Sequence, residues 1–139
     1  EYENVKFDLF HIGYPYQQAL SALAKNFRNV FIDFCWAHII SPAAATAALA
    51  EYLDSVPANK ISGFGGDYLF LDGVYGHQYI ARENVARALA AKVETSAMDL
   101  DRARQVAGMI LHDNPGTIFG LERAMKKRPA AGRTRPAAA

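Results

Sequence analysis

The sequence predicts an α/β fold in which parallel strands alternate with helices. Three short apolar runs, rich in β-branched and aromatic residues, have the composition of strands buried in a parallel sheet. The segments between them carry apolar residues at the three- and four-residue spacing of amphipathic helices. From His11 to the end of the second run is about 24 residues, and from there to Asp67 about 31, and both lengths suit right-handed βα units.

The first half of the chain supports this pattern element by element. Residues 5–12 are predicted as a strand, and residues 16–27 as a helix with one apolar face. Residues 30–36 form the second, nearly continuous apolar run. Ser41 and Pro42 then predict a helix start, because serine caps helix N-termini and proline is tolerated at the first helical position.

The second half predicts one more strand, followed by helices. Pro57 ends the helix over residues 43–53, and residues 61–64 form the third strand before Gly65 and Gly66 turn the chain. The remaining elements are predicted as a turn at Asp72 and Gly73, a helix over residues 79–93, and a last helix from residue 98 or 99 to about residue 111 that Asn114 and Pro115 end.

Composition indicates one domain with a basic end. The chain has 139 residues, 51% of them hydrophobic, and a net charge of +1. We assign residues 1–122 to the domain and residues 123–139, which contain six basic residues and no acidic ones, to a disordered tail. The tail leaves nucleic-acid binding open as a minor alternative. We expect neither a nucleic-acid nor a membrane partner, and the single Cys35 together with the absence of a signal segment favours a soluble cytoplasmic protein.

Polar residues follow the predicted strands where parallel α/β proteins carry their chemistry. His11 ends the first apolar run, Asp67 follows the third, and Trp36 closes the second. The carboxyl ends of parallel strands meet at one edge of the sheet, so these side chains are expected on the same rim. The sequence therefore predicts a metal or catalytic site there.

Several of these segments together resemble the last third of an amidohydrolase-superfamily enzyme of the amidohydrolase-related branch. The resemblance rests on a His-x-Gly strand end at His11, an Asp-x-x-Trp strand at Asp33, the Phe-Gly-Gly-Asp-Tyr block around Asp67, and the closing segments at residues 111–115 and 119–121. It implies strands six to eight of a metal-dependent (β/α)8 TIM barrel, with their helices, and therefore an incomplete barrel.

The resemblance also implies roles for two residues. Asp67 matches the strand-eight aspartate that touches the metal and acts as general base, and His11 matches the strand-six histidine, so both are candidate catalytic residues and metal ligands. A divalent ion, with zinc expected, would activate water for hydrolysis of a small-molecule substrate. The His-x-His of strand one has no counterpart, and two ligands do not hold a catalytic zinc, so this chain alone is expected to be inactive.

Six residues near the predicted rim are candidates for substrate binding: Tyr14, Tyr16, Trp36, His38, Tyr68 and His77. The alternative is that the aromatic side chains only pack the barrel mouth, and that His77 is an exposed histidine of a long loop. Asp33 is expected to have a structural role inside its strand. Cys35 is expected to be a small buried apolar residue rather than a nucleophile.

Other functions remain open from sequence alone. Decarboxylases and uronate isomerases of the same superfamily use similar residues, and fold analogy does not choose between them. Three strands leave two open edges, so a non-catalytic truncated domain that pairs its edges in a homo-oligomer is a further alternative. The chain begins with Glu1, close to a strand, as a cut chain would, and we expect the missing ligands upstream.

Overall fold

The structure, a computed structural model, describes residues 2–121, so the basic tail expected at residues 123–139 lies outside the described residues. It contains a parallel three-stranded sheet in the order β1-β2-β3. The strands are β1 (Phe7–Leu9), β2 (Val30–Cys35) and β3 (Ile61–Gly65). The predicted α/β class and the parallel pairing are confirmed.

Helices connect the strands and then follow them. Within residues 2–121 they are α1 (Gln17–Asn26), α2 (Ala37–Ile40), α3 (Pro42–Ser55), α4 (Leu71–Glu94), α5 (Leu100–Gly108) and α6 (Asn114–Ile118). Among these described helices, none combines the length and the apolar character needed to cross a lipid bilayer.

The predicted start of α3 is confirmed in detail. The Ser41 hydroxyl accepts a hydrogen bond of 3.2 Å from the Ala44 backbone N–H, and Pro42 occupies the first helical turn. The serine oxygen satisfies a backbone donor that has no partner inside the helix. α3 therefore begins at a fixed point directly after β2 and the short helix α2.

Strand β2 forms the centre of the core. Ile32 and Phe34 are fully buried, and the Phe34 ring packs edge-on against Tyr52 of α3 at 6.1 Å between ring centroids. On the other face of the strand, Asp33 and Cys35 are also buried. A strand buried on both faces explains the nearly continuous apolar run in the sequence.

Near the sheet rim, the predicted end of the first strand and the predicted start of the helix after the third are wrong. β1 ends at Leu9 rather than Ile12, because His11 and Ile12 have φ angles of 59° and 54°, which no strand accommodates. The turn predicted at Asp72 and Gly73 is the first turn of α4, which begins eight residues earlier than expected. Gly73 is tolerated in this helix because the Tyr68 ring packs where its side chain would be.

The predicted helix end at Asn114 and Pro115 is also wrong. After α5 the backbone widens into a π-helical turn, Met109–Asp113, and continues directly into α6. Proline lacks an N–H and its ring clashes with the carbonyl four residues earlier, and the wider turn accommodates both. The Asn114 side chain then ties this helix to β3 by donating to the Ile61 carbonyl at 2.8 Å.

Candidate metal centre

The site lies where the three strands end, and the backbone is strained at each end. His11, Trp36 and Asp67 have φ angles of 59°, 58° and 51°, in the left-handed region that non-glycine residues seldom adopt. Each such residue costs of order 1 kcal/mol or more, so the surrounding contacts must hold it there. The sheet is also irregular here, because its register shifts by one residue between Asp33 and Cys35.

Three side chains from the three strand ends form one cluster. A ring nitrogen of His11, the Sγ atom of Cys35 and a carboxylate oxygen of Asp67 all lie within 4.8 Å of one another. Cys35 is buried, His11 is half-buried and Asp67 is exposed. The structure therefore brings together the two residues that sequence reasoning selected and adds a third, Cys35.

The orientation of His11 is set by a backbone hydrogen bond. Its Nδ1 atom lies 2.7 Å from the Cys35 carbonyl oxygen, which can only accept, so Nδ1 carries the proton. In a neutral imidazole this leaves Nε2 with its lone pair available. Metal-binding histidines commonly have this arrangement, in which the second nitrogen donates to a carbonyl and fixes the ring.

Cys35 is buried, as expected of a small apolar residue, and its Sγ atom also lies next to His11 and Asp67. Burial raises the pKa of the Cys35 thiol to about 12, and the nearby negative charges of Asp33, Asp67 and Asp8 add smaller contributions in the same direction. Space for it depends on Gly65, since a Cβ atom there would lie 2.8 Å from the Cys35 Cβ. Gly65 is thus the residue that lets β3 approach Cys35 this closely.

The donor set suits a divalent ion of the zinc type. Imidazole nitrogen, thiolate sulfur and carboxylate oxygen are all zinc ligands, at about 2.0–2.3 Å from the ion. Ligands at those distances lie about 3.5 Å from one another, so the three donor atoms would have to move slightly closer together to bind an ion. Three protein donors with one side open match the pattern of catalytic rather than structural zinc sites.

A pair of carboxyl groups lies deeper in the sheet. Both carboxyl oxygens of Asp8 are buried and lack a hydrogen-bond partner among the described residues. Burial is the largest cause that raises the pKa of Asp8 to about 6, and the negative charge of Asp33 is the next. Burial also raises the pKa of Asp33, whose Oδ1 accepts a hydrogen bond of 2.6 Å from the Cys35 backbone N–H. That bond supports the structural role expected for Asp33.

Four of the six candidate substrate residues have exposed side chains. The Trp36 ring stands edge-on to His11 at 6.5 Å between centroids, so it borders the cluster. Tyr68 follows Asp67 directly, and Tyr14 lies in the loop after His11. Tyr16 instead lines a surface depression of about 530 Å³ between α1 and α3, which none of the three cluster residues lines.

The other two candidates, His38 and His77, are buried rather than on the rim. His38 is 0% exposed; its Nε2 donates to the Gly63 carbonyl at 2.9 Å, and its Nδ1 lies 3.4 Å from the Asn84 amide nitrogen. His77 is 2% exposed and lies inside α4 rather than in a loop. Burial lowers the pKa of both imidazoles, which keeps them neutral.

Comparison with known proteins yields a family match across the described fold. A family model described as amidohydrolase matches residues 1–121. Among curated proteins, the chain is similar to the protein fluG of Emericella nidulans, with 25% identity over 122 residues. That match covers 87% of this chain and 14% of the relative.

A solved structure has the same fold. It is a protein provisionally named a metal-dependent hydrolase, from Lactobacillus casei ATCC 334, with a TM-score of 0.67 and 24% identity. The match covers 89% of this chain and 31% of that one. The chain thus spans under a third of the length of each of these two proteins.

Proposed function

The chain belongs to the amidohydrolase family, and from that membership we propose that it forms part of a metal-dependent hydrolase whose ion is bound at His11 and Asp67. The observation that carries the proposal is the convergence of His11, Cys35 and Asp67 donor atoms within 4.8 Å. The similarity to a protein provisionally named a metal-dependent hydrolase supports the same conclusion.

The exposed carboxylate of Asp67 is the group best placed to move a proton. A bound divalent ion would lower the pKa of a coordinated water toward about 7. Asp67 lies at the open side of the cluster and can accept a proton from a water molecule there, acting as general base. Its position on a short turn after β3 lets the carboxylate face both the cluster and solvent.

His11 and Cys35 complete the described donor set. His11 presents Nε2 because Nδ1 is engaged with the Cys35 carbonyl, so its ring is oriented before any ion binds. With a pKa of about 12 the Cys35 thiol keeps its proton near neutral pH, and it would lose that proton on binding a divalent ion. The thiolate formed in this way would be the softest donor of the set, and thiolate ligands favour zinc over magnesium or calcium. These properties support zinc as the ion, with Cys35 as a ligand or a close neighbour of it.

We propose that β1, β2 and β3 correspond to strands six to eight of a (β/α)8 barrel. Both outer edges of the sheet are unpaired within residues 2–121, and parallel sheets in this class are normally continued or closed. In the whole barrel, strands outside this chain would supply further ligands to the ion. Trp36, Tyr14 and Tyr68, which are exposed near the same rim, would then contact a small-molecule substrate.

Metal binding by the full-length protein tests the function. We expect about one zinc ion per site, with Asp67→Asn and His11→Asn each lowering zinc affinity by about tenfold or more. Asp101→Asn and His112→Asn are the matched controls, because those side chains are 94% and 89% exposed and lie outside the cluster.

The result that would overturn the proposal is a full-length protein that binds no divalent ion, or whose ion is retained unchanged in both site variants. Product analysis on carboxylated and amide substrates then separates hydrolysis from decarboxylation and isomerisation. Loss of CO2 from the substrate, without incorporation of labelled oxygen from water, would reject hydrolysis in favour of the decarboxylase alternative.

A further inference from the structure

The turn that carries Asp67 rests on the first turns of α4. A Cβ atom at Gly66 would lie 3.1 Å from a Val74 methyl group, so the backbone of this turn packs directly on the helix. On the other side of Asp67, the Tyr68 ring covers Gly73, where a Cβ atom would lie 2.7 Å from the ring. The residues before and after Asp67 are therefore both held by α4.

His77 lies one turn further along α4 and contacts the same segment. Its ring meets Phe64 at 5.0 Å and Tyr68 at 5.7 Å between centroids, both edge-on. A third edge contact, at 6.1 Å, joins it to His38. His77 thus fills the space between β3, the Asp67 turn and the buried His38.

The two ring nitrogens of His77 are buried beside the turn that carries Asp67. Neither ring nitrogen has a hydrogen-bond partner within normal limits among the described residues, although the side chain is 2% exposed. The backbone of Gly66 is near enough to the ring to oppose in part the lowering of the His77 pKa by burial, as a carbonyl facing an imidazole does. Buried polar groups without partners are uncommon, so an imidazole enclosed beside the residue that precedes Asp67 calls for a role.

Asp67 needs such support because its backbone is strained. Its φ angle is 51°, a conformation that persists only where surrounding contacts over-determine it. A free turn would relax toward negative φ and rotate the carboxylate away from His11 and Cys35. The contacts of Gly66 and Tyr68 with α4, those with His77 included, oppose that relaxation.

We propose that His77 is a positioning residue for Asp67, acting through Gly66 and Tyr68 to hold the carboxylate toward His11. The inference rests on the proposed function, since it assigns to His77 the geometry of the same metal centre. His77 does not touch substrate in this role, because its ring is enclosed by protein. The substrate contact expected from the sequence is thereby replaced by an indirect effect.

Two substitutions at His77 in the full-length protein test the role of its N–H. His77→Phe keeps a ring of similar shape without nitrogen, and His77→Gln keeps a donor. We expect His77→Phe to lower affinity for Zn²⁺, measured by competition with a chelator, by about tenfold or more. His77→Gln should restore most of that loss, which a purely packing role would not do.

A second pair of variants tests the helix contact without changing His77. Gly73→Ala places a methyl group against the Tyr68 ring and should displace the turn, lowering zinc affinity despite the better helix propensity of alanine. Gly76→Ala makes the same change in the same helix where nothing lies within 4 Å, so it is the matched control and should bind zinc normally.

Hydrogen exchange of residues 65–70 provides a readout that needs no metal. We expect faster exchange in His77→Phe and Gly73→Ala, with Gly76→Ala unchanged. If the wild type binds no zinc, the proposed function fails while exchange still reports on the contact. If the wild type binds zinc and His77→Phe binds it equally well with unchanged exchange, the positioning role is rejected and the function stands.

Discussion

The hydroxyl group of Tyr52 donates a hydrogen bond of 2.7 Å to the backbone carbonyl of Ile12, the residue that follows His11. The same hydroxyl lies 3.2 Å from the carbonyl of Gln17 at the start of α1. Tyr52 is fully buried in α3, so the core of the domain reaches directly to the loop that carries His11. Folding of the helix layer and placement of the histidine are therefore coupled.

Removing this hydroxyl should destabilise the protein and loosen His11. Tyr52→Phe leaves the buried Ile12 carbonyl without its donor, and we expect a loss of about 1–2 kcal/mol in the free energy of unfolding. Urea denaturation measures it. Tyr79→Phe, at an exposed tyrosine, is the control and should stay within about 0.5 kcal/mol of wild type. A Tyr52→Phe protein as stable as the control would show that the bond contributes nothing.

Lys60 caps the C-terminal end of α1 from inside the protein. Its Nζ donates to the carbonyls of Ala24 and of Phe27, the latter at 2.6 Å. The Ala24 carbonyl is one of those that a helix leaves unpaired at its end, and a cation also interacts favourably with the helix dipole there. Lys60→Met should lower the free energy of unfolding by about 1–3 kcal/mol, measured by denaturation.

Lys25→Met is the matched control for Lys60→Met, because Lys25 is exposed on α1. It should leave stability nearly unchanged. Equal stabilities for the two methionine variants would mean that burial of the Lys60 ammonium cancels the benefit of its hydrogen bonds, since burial lowers its pKa.

Stability should fall as the solution is acidified, because of the buried histidines. The pKa of His38 is lowered in the folded state, chiefly by burial, so below the unfolded value of 6.5 the unfolded chain binds more protons. The stabilisation is present above that value and is lost as the pH falls. The slope per histidine is at most about 1.4 kcal/mol per pH unit.

The corresponding variant is His38→Gln, in which the difference in unfolding free energy between about pH 7 and pH 5 should shrink. Because wild type and variant are each compared with themselves, any overall loss of stability in the variant cancels. An unchanged pH dependence would mean that His38 does not contribute to it.

Asp8 should have the opposite pH dependence. Its pKa is raised from 3.8 to about 6 in the folded state, so it favours folding below about pH 4 and this contribution is lost as the pH rises through about 6. Asp8→Asn removes a buried charge beside Asp33. We expect the variant to gain stability over wild type between about pH 4 and pH 7, measured as melting temperatures at both pH values. A constant difference across that range would contradict the raised pKa.

Periodicity and capping residues predicted the alternating strands and helices, because apolar spacing and the Ser41–Pro42 start are local signals. They could not predict that α4 begins at Leu71. Asp72 and Gly73 have turn chemistry locally, and the packing of the Tyr68 ring on Gly73, where a side chain would collide, is known only from the folded structure. The continuation of the helix through Asn114 and Pro115 likewise depends on a π-helical turn, which has no simple signature in the local sequence.

For the candidate site, sequence reasoning selected His11 and Asp67 from their strand ends, and the structure places them together. Cys35 escaped selection because one cysteine in an apolar run has the composition of a core residue. Its proximity to His11 follows from the pairing of β1 with β2, and its close approach to β3 from the absence of a side chain at Gly65. Contacts between strands of this kind are not encoded in any single segment.

The left-handed backbone at His11, Trp36 and Asp67 has a consequence for protein design. A designer who copies only the histidine and aspartate onto the strand ends of another sheet would place them on ordinary extended backbone, with their side chains aimed elsewhere. A successful transplant must also carry the turns and the parts of α3 and α4 that hold them, including Tyr52 and the first turns of α4. The smallest transferable unit of this site is accordingly a set of supported turns rather than a set of side chains.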